Sequence, residues 1–161
     1  MTSNNNLLEI WLSENKIKFY KDFNIKYKSW LKAGGIVKNF ITPNNETDCI
    51  KLIKFFYENK FAFYVLGNIS NIIIRDGIIN TPIINLHKLS DIFEKQTHEE
   101  FKLKVNAGTS MLKFSKYLIN KGITGCEGLL GIPGTLGGGI VMNTSSYGSC
   151  ISDYLVSVEY I

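Results

Sequence analysis

Apolar residues in this 161-residue chain recur first at helical spacing. Leu7, Leu8, Trp11, Leu12 and then Ile17 predict a short amphipathic helix over residues 7–20. Gly34-Gly35 marks a turn, and the run Ile36–Thr42 reads as a strand that Pro43 and Asn44-Asn45 bring to an end. An asparagine there can cap the next helix by accepting from its free N–H groups. That helix sets Cys49, Leu52, Ile53, Phe56 and Tyr57 on one face and leaves Lys51, Lys54 and Glu58 to solvent. Short β-branched runs follow at 62–66, 72–75, 82–86 and 101–106, divided by Gly, Asn and Pro. Another helix is predicted over 110–121, with Leu112, Ser115, Leu118 and Ile119 inward and Gly122 as its stop. Most of the 14 glycines then fall between Gly122 and Gly148, around Pro133. Residues 154–161 alternate like a strand and stop, which predicts a fragment or a truncated gene product, because such a strand needs a pairing partner.

This order of strands and helices, broken by long glycine loops, predicts an α+β fold in two lobes. The expected boundaries are a helical extension at 1–22 and a domain at 23–161. Within that domain, lobe 1 covers about 23–88 and a truncated lobe 2 about 89–161.

Composition narrows the class. An apolar share of 45% and a charged share of 20% are those of a soluble globular protein long enough to bury a core. The net charge of +4 comes from 18 basic residues of which only Arg75 is arginine, and the lysines are scattered. A nucleic-acid partner would require a clustered basic face, so none is expected. Cys49, Cys126 and Cys150 have wide spacings and no CxxC, so reduced thiols are expected and no metal site. No export signal opens the chain, and no apolar run reaches the roughly 20 residues of a membrane span. The expected location is the cytoplasm, with no membrane partner.

Two glycine-centred segments carry the candidate chemistry. Leu66-Gly67-Asn68-Ile69-Ser70-Asn71 lies between apolar runs. Successive N–H groups in such a turn can cradle an anion, and Ser70 and Asn71 add donors suited to phosphate oxygens. The same residues also make an ordinary hairpin connection. The second segment runs from Gly131 to Gly139, with five glycines in nine residues, and leads into Val141-Met142-Asn143. Apolar neighbours rule out a solvated linker, leaving either a backbone pressed against a large flat or charged ligand or a tightly packed bend. No GxGxxG and no Gly-Lys-Ser/Thr occur, which argues against a Rossmann site and a P-loop.

Taken in order, Gly34-Gly35, Leu66-Gly67-Asn68-x-Ser70-Asn71, Arg75-Asp76-Gly77, Ala107-Gly108, Gly131-Ile132-Pro133-Gly134-Thr135-Leu136-Gly137-Gly138 and Met142-Asn143 with Tyr147-Gly148 resemble the UDP-N-acetylenolpyruvoylglucosamine reductase family. The resemblance implies the two-lobed FAD-binding fold of the vanillyl-alcohol-oxidase (PCMH) type, here without the C-terminal substrate domain. It implies that Gly67, Asn68, Ile69, Ser70 and Asn71 form the FAD pyrophosphate loop. Ile132, Pro133, Gly134, Gly137 and Gly138 would line the path of the adenosine diphosphate and isoalloxazine, and Asn143, Tyr147 and Gly148 would complete the wall. Arg75-Asp76 would close the neighbouring turn as a structural pair. In the family NADPH reduces FAD, the flavin N5 delivers hydride to the enolpyruvyl double bond of a UDP-sugar, and a serine protonates the adjacent carbon. The family's serine, substrate arginine and catalytic glutamate fall after Ile161. Two alternatives stay open: a flavin-binding module without reductase activity, or a related FAD oxidoreductase for another sugar nucleotide.

The chain departs from the family pattern at three places. Ile36 follows Gly34-Gly35 where the family has proline, and Thr144-Ser145-Ser146 replaces Ala-Gly-Ala. Ile69 replaces a second glycine, where a positive φ would cost a β-branched residue about 1–3 kcal/mol. His87, His98 and the Glu99-Glu100 pair read as exposed polar positions. Glu127, set among glycines, reads either as a hydrogen-bond acceptor for loop N–H groups or as an acid–base group.

Overall fold

The computed structural model describes residues 2–96 and 101–161, so His98, Glu99 and Glu100 lie outside the described residues. The chain opens with α1 (Thr2–Glu14), β1 (Lys18–Asn24), β2 (Ile36–Thr42), α2 (Glu46–Glu58), β3 (Tyr64–Leu66), β4 (Ile78–Ile79) and β5 (Ile83–Asn85). It continues with β6 (Ile92–Gln96), β7 (Phe101–Val105), α3 (Met111–Asn120), α4 (Leu136–Val141), β8 (Ser145–Ser146) and β9 (Ser149–Cys150).

One mixed sheet organises the first half in the order β1-β2-β5-β3, with β4 also beside β2. β1 runs antiparallel to β2, from Lys18 opposite Thr42 to Asn24 opposite Ile36. β5 runs parallel to both β2 and β3. Helix α1 ends at Glu14, short of residue 20, because Lys16 turns the backbone to a φ of 56° and hands Ile17 to the core. β1 itself is mostly exposed, so its ladder with β2 rather than its own apolar pattern makes it a strand.

Asn45 caps α2, its side chain accepting from Asp48 N at 2.8 Å. The buried face of α2 is Cys49, Leu52, Phe55 and Phe56, and Tyr57 is 85% exposed, against the expectation for that residue. Phe55 stacks on Trp11 of α1 at 4.2 Å between ring centroids, which sets the face. The main core cluster joins Leu8, Leu12, Ile41, Leu52, Phe56 and Ile84; a second gathers Ile25, Val37, Phe40, Ile69 and Ile83.

The run 72–75 forms no ladder; β4 pairs with β2 instead, Ile36 opposite Ile78. The cause is backbone packing at the preceding turn. Gly35 N donates to Arg75 O at 3.1 Å and Ile36 N to Gly77 O at 2.8 Å, and a Cβ on Gly35 would lie 1.9 Å from Gly77 O. Backbone therefore closes this turn, and among the described residues no ion pair joins Arg75 to Asp76.

β6 and β7 form a separate antiparallel pair. Helix α3 lies where the periodicity placed it, with Ser110 as cap and Gly122 at a φ of 66° beyond its end. Its buried residues are Met111, Ser115 and Leu118, while Leu112 and Ile119 are 61% and 63% exposed. The face is rotated because Met111 packs with Leu129 and Ile151 in a small third cluster. Residues 154–161 form no strand; an ion pair of 2.5 Å between Glu159 and Lys104 ties them to β7. The cysteines are free thiols, and burial, then the charges of Glu46 and Asp48, push the Cys49 thiol up. No described helix is long and apolar enough to cross a membrane.

Candidate functional site

β3, an edge strand of the sheet, delivers the chain to Gly67, and Thr135 comes against it from a remote part of the sequence. A Cβ on Gly67 would lie 2.1 Å from Thr135 Oγ1 and 2.9 Å from its Cγ2, so only glycine admits this approach. Thr135 is also the cap of α4, its Oγ1 accepting from Gly138 N at 3.3 Å. Three residues after Gly67, Ser70 Oγ donates to Pro133 O at 2.9 Å, closing a link across 63 residues of chain. The two glycine turns are thus pinned at two points.

The second turn is held from below by the start of α3. Met111 N donates to Gly134 O at 3.0 Å, Leu136 N to Thr109 O at 2.8 Å and Gly137 N to Ala107 O at 2.9 Å. Gly137 lacks room for a side chain because Ala107 occupies it, with 2.7 Å between the Cβ positions. Its glycine therefore serves packing between α4 and the α3 entry. A Cβ on Gly134, whose φ is 155°, would lie 3.5 Å from Ser70 Oγ, and one on Gly131, at 82°, would face open space.

Ile69 has a φ of 53°, the left-handed region that costs a β-branched residue about 1–3 kcal/mol. Its side chain is only 5% exposed, packed with Ile25, Val37, Phe40 and Ile83, and its carbonyl accepts from Trp30 N at 3.0 Å. Burial of that side chain offsets the strain, and what Ile69 leaves to the turn is its N–H. Asn68 and Asn71 are exposed. Among the described residues, none of the N–H groups from Gly67 to Asn71 donates a hydrogen bond, nor do those of Gly134 and Thr135. A row of uncommitted backbone donors is the geometry that receives a polyanion.

Asn143, Tyr147 and Gly148 stand apart from this junction. Asn143 and Tyr147 have φ values of 45° and 48°, Tyr147 is 94% exposed, and Gly148 lies at 80°. Asn143 accepts from Cys150 Sγ, at 3.2 Å on its Oδ1, and the hairpin β8–β9 packs on the turn at Glu127–Leu129, where Gly128 meets Ser146 and Ser149. Among the described residues no hydrogen bond joins them to the first turn. Glu127 accepts from Gly125 N through both carboxyl oxygens, at 3.0 and 2.9 Å, and that bond holds its carboxyl below the usual range. Its role is to close the loop.

Two contributors were not read from the sequence as site residues. Thr135 sits inside the quoted motif, where a Thr three residues before Gly138 is a capping signal. Asn85, at the end of β5, donates from Nδ2 to Leu66 O at 3.1 Å and to Gly67 O at 2.6 Å. Nothing local in the sequence marks it.

Comparison with known proteins bears on this geometry. The sequence pattern of a family described as FAD binding domain matches residues 37–161. UDP-N-acetylenolpyruvoylglucosamine reductase of Rickettsia typhi is 37% identical over 146 residues, which are 89% of this chain and 48% of that protein. The enzyme of the same name from Streptococcus mutans is 32% identical over 137 residues, 85% of this chain and 44% of its own length. The chain spans about half the length of the relatives it matches. Among solved structures, the UDP-N-acetylenolpyruvylglucosamine reductase of Thermus caldophilus superposes with a TM-score of 0.64 at 22% identity, covering 85% of this chain and 46% of the other. Cholesterol oxidase from Brevibacterium sterolicum gives 0.59 at 16%, covering 82% of this chain and 25% of the other. The fold is that of the vanillyl-alcohol-oxidase type of FAD-binding protein, represented here by its N-terminal part.

Proposed function

The chain belongs to the FAD-binding domain family, and from that premise we propose that it is the cofactor-holding half of a UDP-N-acetylenolpyruvoylglucosamine reductase. One observation carries the reading: two glycine turns 63 residues apart are pinned by Ser70 and Thr135, with the N–H groups of Gly67 to Asn71 uncommitted. In this reading Gly67, Asn68, Ile69, Ser70 and Asn71 hold the pyrophosphate, Ile69 through its backbone alone. Such donors are set by the fold before the anion arrives, so binding costs little reorganisation. Ile132, Pro133, Gly134 and Gly138 form a wall that a flat group can approach closely, with Gly137 keeping α4 in place behind it. Asn143, Tyr147 and Gly148 form a second edge on the hairpin.

FAD, when bound, supplies the two-electron chemistry, and the protein's part is to hold and orient it. NADPH is the proposed electron donor and a UDP-sugar enolpyruvate the proposed substrate, in the cytoplasmic steps of peptidoglycan synthesis. The residues of this chain bind the cofactor and exclude water from one side of it. The groups that bind substrate and protonate it belong, in this reading, to the other half of the relatives' length.

FAD binding to the purified chain tests this, by flavin absorbance retained after desalting and by titration of flavin fluorescence. Stoichiometric retention that Gly67→Val and Gly134→Val each weaken supports the reading. A folded chain that takes up no flavin at high FAD refutes it and leaves the two turns as packing elements.

A further inference from the structure

We propose that His87 is a positioning residue for the first glycine turn, acting through Asn85; the role rests on the reading of that turn as a cradle for FAD. Asn85 is 3% exposed, and its Nδ2 donates to two carbonyl oxygens, those of Leu66 and Gly67. Carbonyls only accept, so the amide has one permitted orientation, with Oδ1 turned away from the glycine turn. That Oδ1 meets Nδ1 of His87. Because Oδ1 also only accepts, the proton on the imidazole must sit on Nδ1, leaving Nε2 outward. Partial desolvation of the ring, then the charges of Lys28, Lys88 and Lys18, lower the basicity of His87 and favour its neutral form. A neutral ring could carry its proton on either nitrogen, and it is Asn85 that selects one.

The consequence for the turn follows from peptide geometry. In a planar trans peptide the C=O and the next N–H point in opposite directions, and among the described residues no peptide is cis. Asn85 draws the carbonyls of Leu66 and Gly67 toward itself, which aims the N–H groups of Gly67 and Asn68 to the opposite side. Those are two of the uncommitted donors of the proposed cradle. Without a donor at position 87 the Asn85 Oδ1 loses its partner and the amide is held by the two carbonyls alone. Leu66 O also accepts from Leu86 N at 3.1 Å, so the Gly67 carbonyl and the Asn68 N–H behind it are what the latch steadies. His87 is exposed, so its replacement leaves the core untouched.

The test uses the whole chain with His87→Leu, which removes the donor, and His87→Asn, whose side-chain NH2 occupies the place of Nδ1. Nitrogen NMR of the wild type, without FAD, is expected to show the Nδ1-protonated ring and slow hydrogen exchange at the Asn85 side-chain amide. His87→Leu should accelerate that exchange and raise the FAD dissociation constant about threefold to tenfold, the size of one hydrogen bond. His87→Asn should restore both. Unchanged exchange in His87→Leu, or a wild-type ring protonated on Nε2, overturns the latch even where FAD binds. A wild type that binds no FAD overturns the role together with the reading beneath it, whatever the exchange shows.

Discussion

From β1 to β5, side chains do the packing. Phe40, Phe56, Ile41, Leu52 and Ile84 are fully buried there, filling both faces of the sheet. Between Gly122 and Asp153 only Leu129, Thr135 and Ile151 are buried, and close contacts are made by backbone: Gly137 on Ala107, Gly128 on Ser146 and Ser149, Gly139 on Thr144. The same small change therefore has opposite consequences in the two regions. Removing atoms from the sheet leaves a void, and adding atoms to a glycine turn drives them into occupied space. The first region specifies the fold, and the second builds a surface whose shape depends on what is missing from it.

Phe56→Ala gives the largest expected effect, a loss of about 3–5 kcal/mol in urea unfolding. A loss below about 1 kcal/mol would erase the contrast, since Phe56 is fully buried between α1, α2 and the sheet.

Ile69→Gly sharpens the comparison because Ile69 fills the sheet's core with its side chain while its backbone takes the positive φ of a glycine turn. Relief of its positive φ returns about 1–3 kcal/mol, while deleting a buried aliphatic side chain costs about 2–5 kcal/mol. Stability should fall by about 1–3 kcal/mol, with FAD affinity equal or better. Tighter folding on substitution would mean that strain, not burial, dominates at this position.

Gly67→Ala places a methyl 2.1 Å from Thr135 Oγ1 and is expected to cost about 1–3 kcal/mol. Thr135→Ala loses the α4 cap, at about 0.5–2 kcal/mol. Combined, they should cost less than their sum by about 0.5 kcal/mol or more, because the second removes the two atoms the first collides with. Strict additivity in unfolding measurements would show that the turns do not meet in solution.

The smallest effect concerns pH. Glu94 pairs with Lys121 at 2.6 Å and accepts from Tyr117, which in that order hold its carboxyl low, while desolvation and then the contact with Glu94 push Tyr117 up to about 12. A depressed carboxyl binds its proton less readily folded than unfolded. Its contribution is therefore complete above the unfolded carboxylate range of about 4.3 and is lost as pH falls through the lower folded value. Melting temperatures of Glu94→Gln should lie slightly below wild type at neutral pH and converge with it in acid. A gap that widens on acidification would reverse the sign.

Where an element makes its own structure, the sequence showed it. Asn45 and the spacing of Cys49, Leu52 and Phe56 defined α2, and Ser110 and Gly122 bracketed α3. The faces were read less well: Tyr57, Leu112 and Ile119 are exposed because the neighbours that choose a helix face, Trp11 and Leu129, lie far off in the chain. β1 and β6 were missed for a related reason, since their polar composition hides strands that exist through pairing. Helix α4 was hidden by Gly137, Gly138 and Gly139, each costing about 1 kcal/mol in helix propensity; its cap and the α3 entry hold it.

The amino-acid order by itself determined which stretches could be helices, where backbone would be bare, and which two bare stretches are the candidates for chemistry. Those are local properties, set by side-chain shape and by the freedom of glycine. Only the tertiary structure decided that Gly67 faces Thr135, that Ser70 reaches Pro133, that Asn85 bonds the carbonyl of Gly67, and that Asn143 accepts from Cys150. Contacts between residues far apart in the chain depend on which faces the sheet and helices bury together, and no local pattern encodes that choice.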